Sequence, residues 1–206
     1  MKLKELNYAL SSFDFDFNRP KAHLEQYPTP VSLAASALYE IEEKFEAISG
    51  KIVADFGCGT GVFSMGALML EADQVFAFDI DEDALEQAKE NDEENLIEFL
   101  QLNVFQMDFG LKFDTILMNP PFGTNDKNYG NDMAFVNKAL SMLNDDGAVY
   151  SLHKTACREF IKKDCAANNI EASVLAEMAF PIKKMYKFHR KNCVDVAVDF
   201  IRFVKY

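Results

Sequence analysis

From Lys51 onward the chain alternates short apolar runs with segments of helical composition, and this alternation most limits the folds open to it. KIVADFG (51–57) runs into a glycine cluster and GVFSMGALML (61–70) has helical composition, which reads as strand, turn, helix. QVFAFDI (74–80), the helix DEDALEQAKEND (81–92), IEFLQL (97–102) and FDTILMNPPF (113–122) continue the pattern. A helix over 131–143, the strand GAVYSLH (147–153), a helix over 155–168, a strand region over 170–178 and the period-2 run VDVAVDFIRFVKY (194–206) complete it. Ahead of the first strand, Leu33, Ala34, Ala37, Leu38, Ile41 and Phe45 fall at helical spacing, with Thr29 as the expected cap before Pro30. Such a chain is α/β, with a doubly wound, mostly parallel sheet whose ligands lie beyond the carboxyl ends of its strands. No repeat or low-complexity tract interrupts it, so residues 23–206 read as one domain behind an N-terminal extension, 1–22, expected to be the least structured part.

At 206 residues and 49% apolar the chain suits one sizeable core. No run of about 18 apolar residues is present and the start lacks the pattern of a signal peptide, so neither a membrane span nor secretion is expected. Cys58, Cys157, Cys165 and Cys193 form no CxxC pair and read as free thiols, with Cys157 and Cys165 on one helix. The net charge of −12 is polarised: residues 1–153 carry 10 basic and 27 acidic side chains, residues 154–206 carry 11 and 6. Within the basic part PIKKMYKFHRK (181–191) holds Lys183, Lys184, Lys187, Arg190 and Lys191, no acid, and Tyr186, Phe188 and His189 interleaved, a mixture suited to phosphates and stacked bases.

Three motifs carry chemistry. Asp55-Phe56-Gly57-Cys58-Gly59-Thr60-Gly61 follows the first strand, its glycines permitting a tight turn and close ligand approach, with Asp55 placed to meet a cationic or amino-bearing group. Position 62 is Val, so the dinucleotide fingerprint is not met. Asp79, at the end of the second strand, suits the hydroxyls of a ribose, while Asp81 suits a helix cap. In Asn119-Pro120-Pro121-Phe122 the prolines fix the backbone so that the Asn119 side-chain carbonyl and the Pro120 main-chain carbonyl can converge on one planar NH2 group. Two acceptors stabilise the positive charge that develops when a delocalised amine attacks, and Phe122 can stack on an extruded base.

These motifs, in this order, resemble the class I S-adenosylmethionine-dependent methyltransferases. With Glu25-Gln26-Tyr27-Pro28-Thr29, Asp132-Met133-Ala134-Phe135, Tyr150 to Lys154 and Tyr186-Lys187-Phe188-His189, the chain is similar from about residue 20 to its end to the methyltransferase-like protein 5 family. The resemblance implies a Rossmann-like seven-stranded sheet with helices on both faces and methylation of adenosine N6 in small-subunit ribosomal RNA. It further implies S-adenosylmethionine as cofactor, a heterodimer with a small zinc-containing activator, and a nuclear, nucleolar and cytoplasmic location. By the same resemblance Gln26, Thr29, Gly57, Thr60, Val62, Asp79, Asn103 and Val104 line the cofactor site, and Asn119, Pro120, Pro121 and Phe122 are catalytic. Asn103 stands where the family usually has Asp, and Thr60 where it has a second Cys.

His153 and Lys154 end a strand beside this site and are expected to touch substrate phosphate. Asp126 to Asn131 reads as a mobile loop over the substrate pocket. The acidic first three quarters independently call for a partner, and IEFLQLNVF and VFAFDI are candidate exposed edges for it. Two rivals remain: a glutamine-amide protein methyltransferase, whose substrate presents the same NH2 group, and a non-catalytic cofactor-binding scaffold. DNA methylation is disfavoured because 206 residues leave no room for a target-recognition domain.

Overall fold

The computed structural model describes residues 1–108, 110–122, 130–183, 186 and 193–206. Their strands are β1 (Ile52–Phe56), β2 (Gln74–Asp79), β3 (Ile97–Gln101), β4 (Phe113–Met118), β5 (Leu143–Lys154), β6 (Ile170–Lys183) and β7 (Cys193–Lys205), joined in one sheet of order β3-β2-β1-β4-β5-β7-β6. β3 through β5 pair in parallel, whereas β7 runs antiparallel to both β5 and β6. The order reverses between β1 and β4, which opens a crevice at their carboxyl ends. Asp55, Asp79 and Asn119 come together there.

Helices α1 (Leu3–Leu10), α2 (Val31–Phe45), α3 (Val62–Met69) and α4 (Glu82–Asn91) precede β4, and α5 (Asn131–Ser141) and α6 (Arg158–Ala167) follow it. One core packs α1, α2 and α3 on the sheet through Leu6, Leu10, Leu38, Ile41 and Met65; the other packs α5 and α6 through Val136, Leu140 and Ile161. Burying a side chain of this size contributes about 1.5–3 kcal/mol. None of the described helices is long and apolar enough to cross a membrane.

Several expectations need correction. Residues 3–10 are helical, with Leu6 and Leu10 wholly buried, because Leu3, Leu6 and Leu10 share one face and Glu5 accepts from the Lys2 amide at 2.8 Å. β2 lies between β3 and β1, so of the two proposed edges only the IEFLQ segment is one. β5 begins at Leu143 and α5 ends at Ser141, the strand having taken over the helix's predicted tail. β6 extends to Lys183, past the expected 178, because its antiparallel register with β7 continues through Ile182 opposite Val194. Cys157 sits in a 3-10 turn (Thr155–Cys157) ahead of α6, and is only half-buried, unlike Cys165.

Candidate active site

A cavity of about 250 Å³ opens at the carboxyl ends of β1, β2 and β4. It is lined by Gln26, Thr29, Asp55, Gly57, Thr60, Val62, Asp79, Asn103, Val104 and Asn119 to Phe122, so both predicted groups, cofactor-binding and catalytic, share one space. Phe17, Phe105 and Phe135 also line it, beyond the expected set. For Phe17 the available signal is the pattern Phe13-Asp14-Phe15-Asp16-Phe17, which alternates as an extended segment does.

The turn after β1 is built by glycines with left-handed backbone. At Gly61, φ is +86° and a Cβ would lie 3.3 Å from the Ala88 Cβ on α4; at Gly59, φ is +54° and a Cβ would meet the Phe17 ring at 2.9 Å. Asp79 is held on this turn: its Oδ2 accepts from the Gly59 amide at 2.8 Å and its Oδ1 from the Asp81 amide at 2.9 Å. Each oxygen keeps a further lone pair, so the carboxylate can still receive two hydroxyls. Burial raises its pKa against the opposing pull of these backbone donors. Asp81 caps α4 by accepting from Asp83 N at 3.2 Å and also takes Gln26 Nε2 at 2.6 Å and Lys21 Nζ.

Gln26 therefore lines the cavity as a clasp: its Oε1 accepts the Lys21 amide at 2.7 Å while Nε2 holds Asp81. Thr60 is likewise engaged, donating to Phe15 O at 2.6 Å. Asn103 Oδ1 accepts from Phe105 N at 3.0 Å and starts the 3-10 turn Val104–Gln106. Asp55 borders the cavity, yet one of its oxygens is committed to the structure, accepting Ser64 N at 3.1 Å and Ser64 Oγ at 2.6 Å. Burial pushes its carboxyl up to about 7. A shaped glycine turn, a preset carboxylate and aromatic walls fit an adenosine-bearing sulfonium donor.

At the other end of the cavity, Asn119 Nδ2 donates to Thr29 Oγ1 at 2.9 Å. Thr29 does not cap α2, whose N-cap is Pro30, because its hydroxyl is used here. Asn119 Oδ1 is buried and has no hydrogen-bond partner among the described residues. The Phe122 ring stands edge-on to Phe180, centroids 5.8 Å apart at 86°, and Lys154 Nζ lies 5.8 Å from its centroid.

His153, expected to touch substrate phosphate, does not line the cavity. It is 1% exposed, edge-on to Phe203, with Nδ1 3.4 Å from Asp132 Oδ2. Burial acts to raise the Asp132 pKa, but His153 and the Met133 amide outweigh it and hold the carboxyl below the usual range. Tyr186 is no stacking residue either: it is buried against Tyr27, centroids 5.6 Å apart, and donates its hydroxyl to Gln26 O at 2.8 Å. Burial pushes its phenol up to about 12. Lys184, Lys187, Phe188, His189, Arg190 and Lys191, the Lys183 side chain, and the expected loop from Asp126 to Tyr129 lie outside the described residues; Gly130 caps α5 and Asn131 begins it.

Residues 35–177 match the methyltransferase small domain family. The chain is 47% identical to the zebrafish (Danio rerio) rRNA N6-adenosine-methyltransferase METTL5, over 98% of this chain and 99% of that protein. It is 40% identical to the Drosophila melanogaster protein of the same name, over 98% and 96%. Among solved structures, a Pyrococcus horikoshii protein described as a candidate RNA methyltransferase superposes with a TM-score of 0.84 at 33% identity, covering 100% of this chain and 98% of that one. With relatives this similar over nearly the full length and the methyltransferase crevice in place, the chain belongs to the METTL5 methyltransferase family.

Proposed function

We propose that this protein methylates N6 of an adenosine in small-subunit ribosomal RNA, using S-adenosylmethionine and working as a heterodimer with a small zinc-containing activator. The observation that carries the reading is Asn119: a buried carbonyl acceptor without a described partner, on an Asn-Pro-Pro-Phe turn, in the same cavity as a ribose-type carboxylate. S-adenosylmethionine supplies an electrophilic methyl carbon when bound, and Asp79, Gly57, Gly59 and Asn103 are the residues that would hold it.

Asn119 Oδ1 and the Pro120 carbonyl accept the two hydrogens of the amine, which stabilises the positive charge arising on N6 as it attacks. Phe122, backed by Phe180, carries the base by stacking and fixes its plane. Lys154 sets a cation beside this platform, where a nucleotide presents phosphate. Lys183, Lys184, Lys187, His189, Arg190 and Lys191 are the further cations proposed to meet RNA phosphate, and Tyr186, in the same stretch of sequence, donates its hydroxyl to Gln26 O at the cofactor wall. The reaction needs no covalent enzyme intermediate, and the proton leaves N6 for water.

Support for the partner comes from the β3 edge. It has no further strand beside it among the described residues, and Leu100 on it and Leu96 just ahead of it, with nearby Ile80 and Phe105, are exposed. A ribosomal RNA substrate also accords with the proposed nuclear, nucleolar and cytoplasmic location.

The test is transfer of a labelled methyl group to small-subunit ribosomal RNA by the protein with its activator, beside Asn119→Ala. N6-methyladenosine that falls on the order of 100-fold or more in the variant, with cofactor binding retained, is the expected result. Labelling of a glutamine-bearing protein and not of RNA would replace this reading, and cofactor binding without any transfer would leave a scaffold.

A further inference from the structure

Thr29 lies 90 residues from Asn119 in sequence, between the 3-10 turn Ala22–Leu24 and α2. Its sequence context, Thr before Pro at a helix start, offers it a local use as a cap, and the fold gives it a different one. A primary amide has nearly the same shape when its oxygen and nitrogen are exchanged by half a turn, yet the two ends have opposite hydrogen-bonding character. A group that binds an amine must present oxygen to it, and nothing in the prolines of the turn fixes which end of Asn119 does so. Thr29 Oγ1 takes Nδ2 at 2.9 Å and leaves Oδ1 as the buried end without a described partner.

We infer that Thr29 is a positioning residue for the methyl transfer, acting on the substrate amine through Asn119. Its hydroxyl accepts the Asn119 amide hydrogen, so the amide can turn its oxygen to the amine with no buried donor left unsatisfied. The inference rests on the proposed role of Asn119. In Thr29→Val the side chain keeps its volume and loses the acceptor. The productive orientation then strands Nδ2, and the reversed one sets a donor against the donors of the amine; either raises the barrier without altering the glycine turn or Asp79. In Thr29→Ser a hydroxyl remains to accept the Nδ2 hydrogen.

The experiment compares wild type, Thr29→Val and Thr29→Ser, each with the activator, measuring kcat and KM on an RNA oligonucleotide, the Kd for S-adenosylhomocysteine by calorimetry, and the melting temperature. With S-adenosylmethionine saturating for each variant, the expected result is a kcat lower by roughly 10- to 100-fold in Thr29→Val, beyond any weakening of the cofactor Kd, a melting temperature within a few degrees of wild type, and recovery of most of the rate in Thr29→Ser. A rate restored to wild type by saturating S-adenosylmethionine, with only the cofactor Kd weakened, would make Thr29 a cofactor ligand alone and overturn the inference. So would an unchanged kcat, or a serine variant as slow as the valine one. Wild type that fails to methylate adenosine while binding cofactor would instead remove the functional reading, a separate outcome.

Discussion

Gln87, on α4, does not line the cavity, yet it holds one of the cavity's walls. Its Oε1 accepts the Asn18 amide at 3.0 Å and its Nε2 donates to Asp16 O, and the side chain is buried. Between these contacts lies Phe17, which closes on Gly59. Gln87→Ala removes both bonds. At about 0.5–1.5 kcal/mol net for each, the arm over residues 13–18 loses about 1–3 kcal/mol, which is a rise of roughly 5- to 150-fold in its open population. Thr60 Oγ1 on Phe15 O and Asn91 Nδ2 on Asp14 O remain, so the opening stays local. Hydrogen exchange followed by mass spectrometry should show faster exchange in peptides spanning residues 13–20, with the strands of the sheet unaffected. Cofactor affinity should weaken as well, because closing the arm now draws on binding free energy. Unchanged exchange over 13–20 would refute the assignment of these bonds as the arm's hold. Faster exchange with an unaltered cofactor Kd would show that the arm is no part of the site.

The Asp55 carboxyl, ordinarily near 3.8 and pushed up to about 7 in the fold, makes folding take up a proton between those values. Stability of the cofactor-free protein should therefore fall as pH rises from about 4 to 7 and level off above, as far as this group is concerned. Asp55→Asn removes that slope, so the melting-temperature gap between wild type and variant should move in favour of the variant from pH 5 to pH 8; a constant gap would sink the argument. Gly66→Ala on α3 places a Cβ 2.2 Å from Leu38 Cδ1, and Leu38 is wholly buried. Overpacking of about 1–3 kcal/mol should exceed the gain in helix propensity of up to about 1 kcal/mol, and thermal unfolding of Gly66→Ala, Leu38→Ala and the double variant should show a double cost below the sum of the singles.

What is legible in the sequence is set by short-range rules. The strand-turn-helix unit at 51–70, the acid ending β2 and the Asn-Pro-Pro-Phe turn after β4 each announce themselves within about twenty residues, since periodicity, glycine backbone freedom and proline geometry are local properties. The parallel sheet then brings their ends to one edge. Thr29 misleads for the same reason: its local context satisfies the capping rule, while its actual partner is brought to it only by the sheet. Tyr186 looks like a base-stacking residue among cations, and only the packing of its own ring on Tyr27 reveals it as an anchor. The N-terminal residues carry a readable signal, Leu3, Leu6 and Leu10 on one helical face followed by Phe13, Phe15 and Phe17 on alternate positions. What no local pattern contains is that Gln87, Thr60 and Asn91 receive that segment. The chemistry of the site is thus written in compact motifs, whereas the residues that orient the catalytic amide and close the cavity are joined across the chain. Substitutions at the motifs should therefore abolish transfer, and substitutions at Thr29 and Gln87 should separate chemistry from cofactor retention.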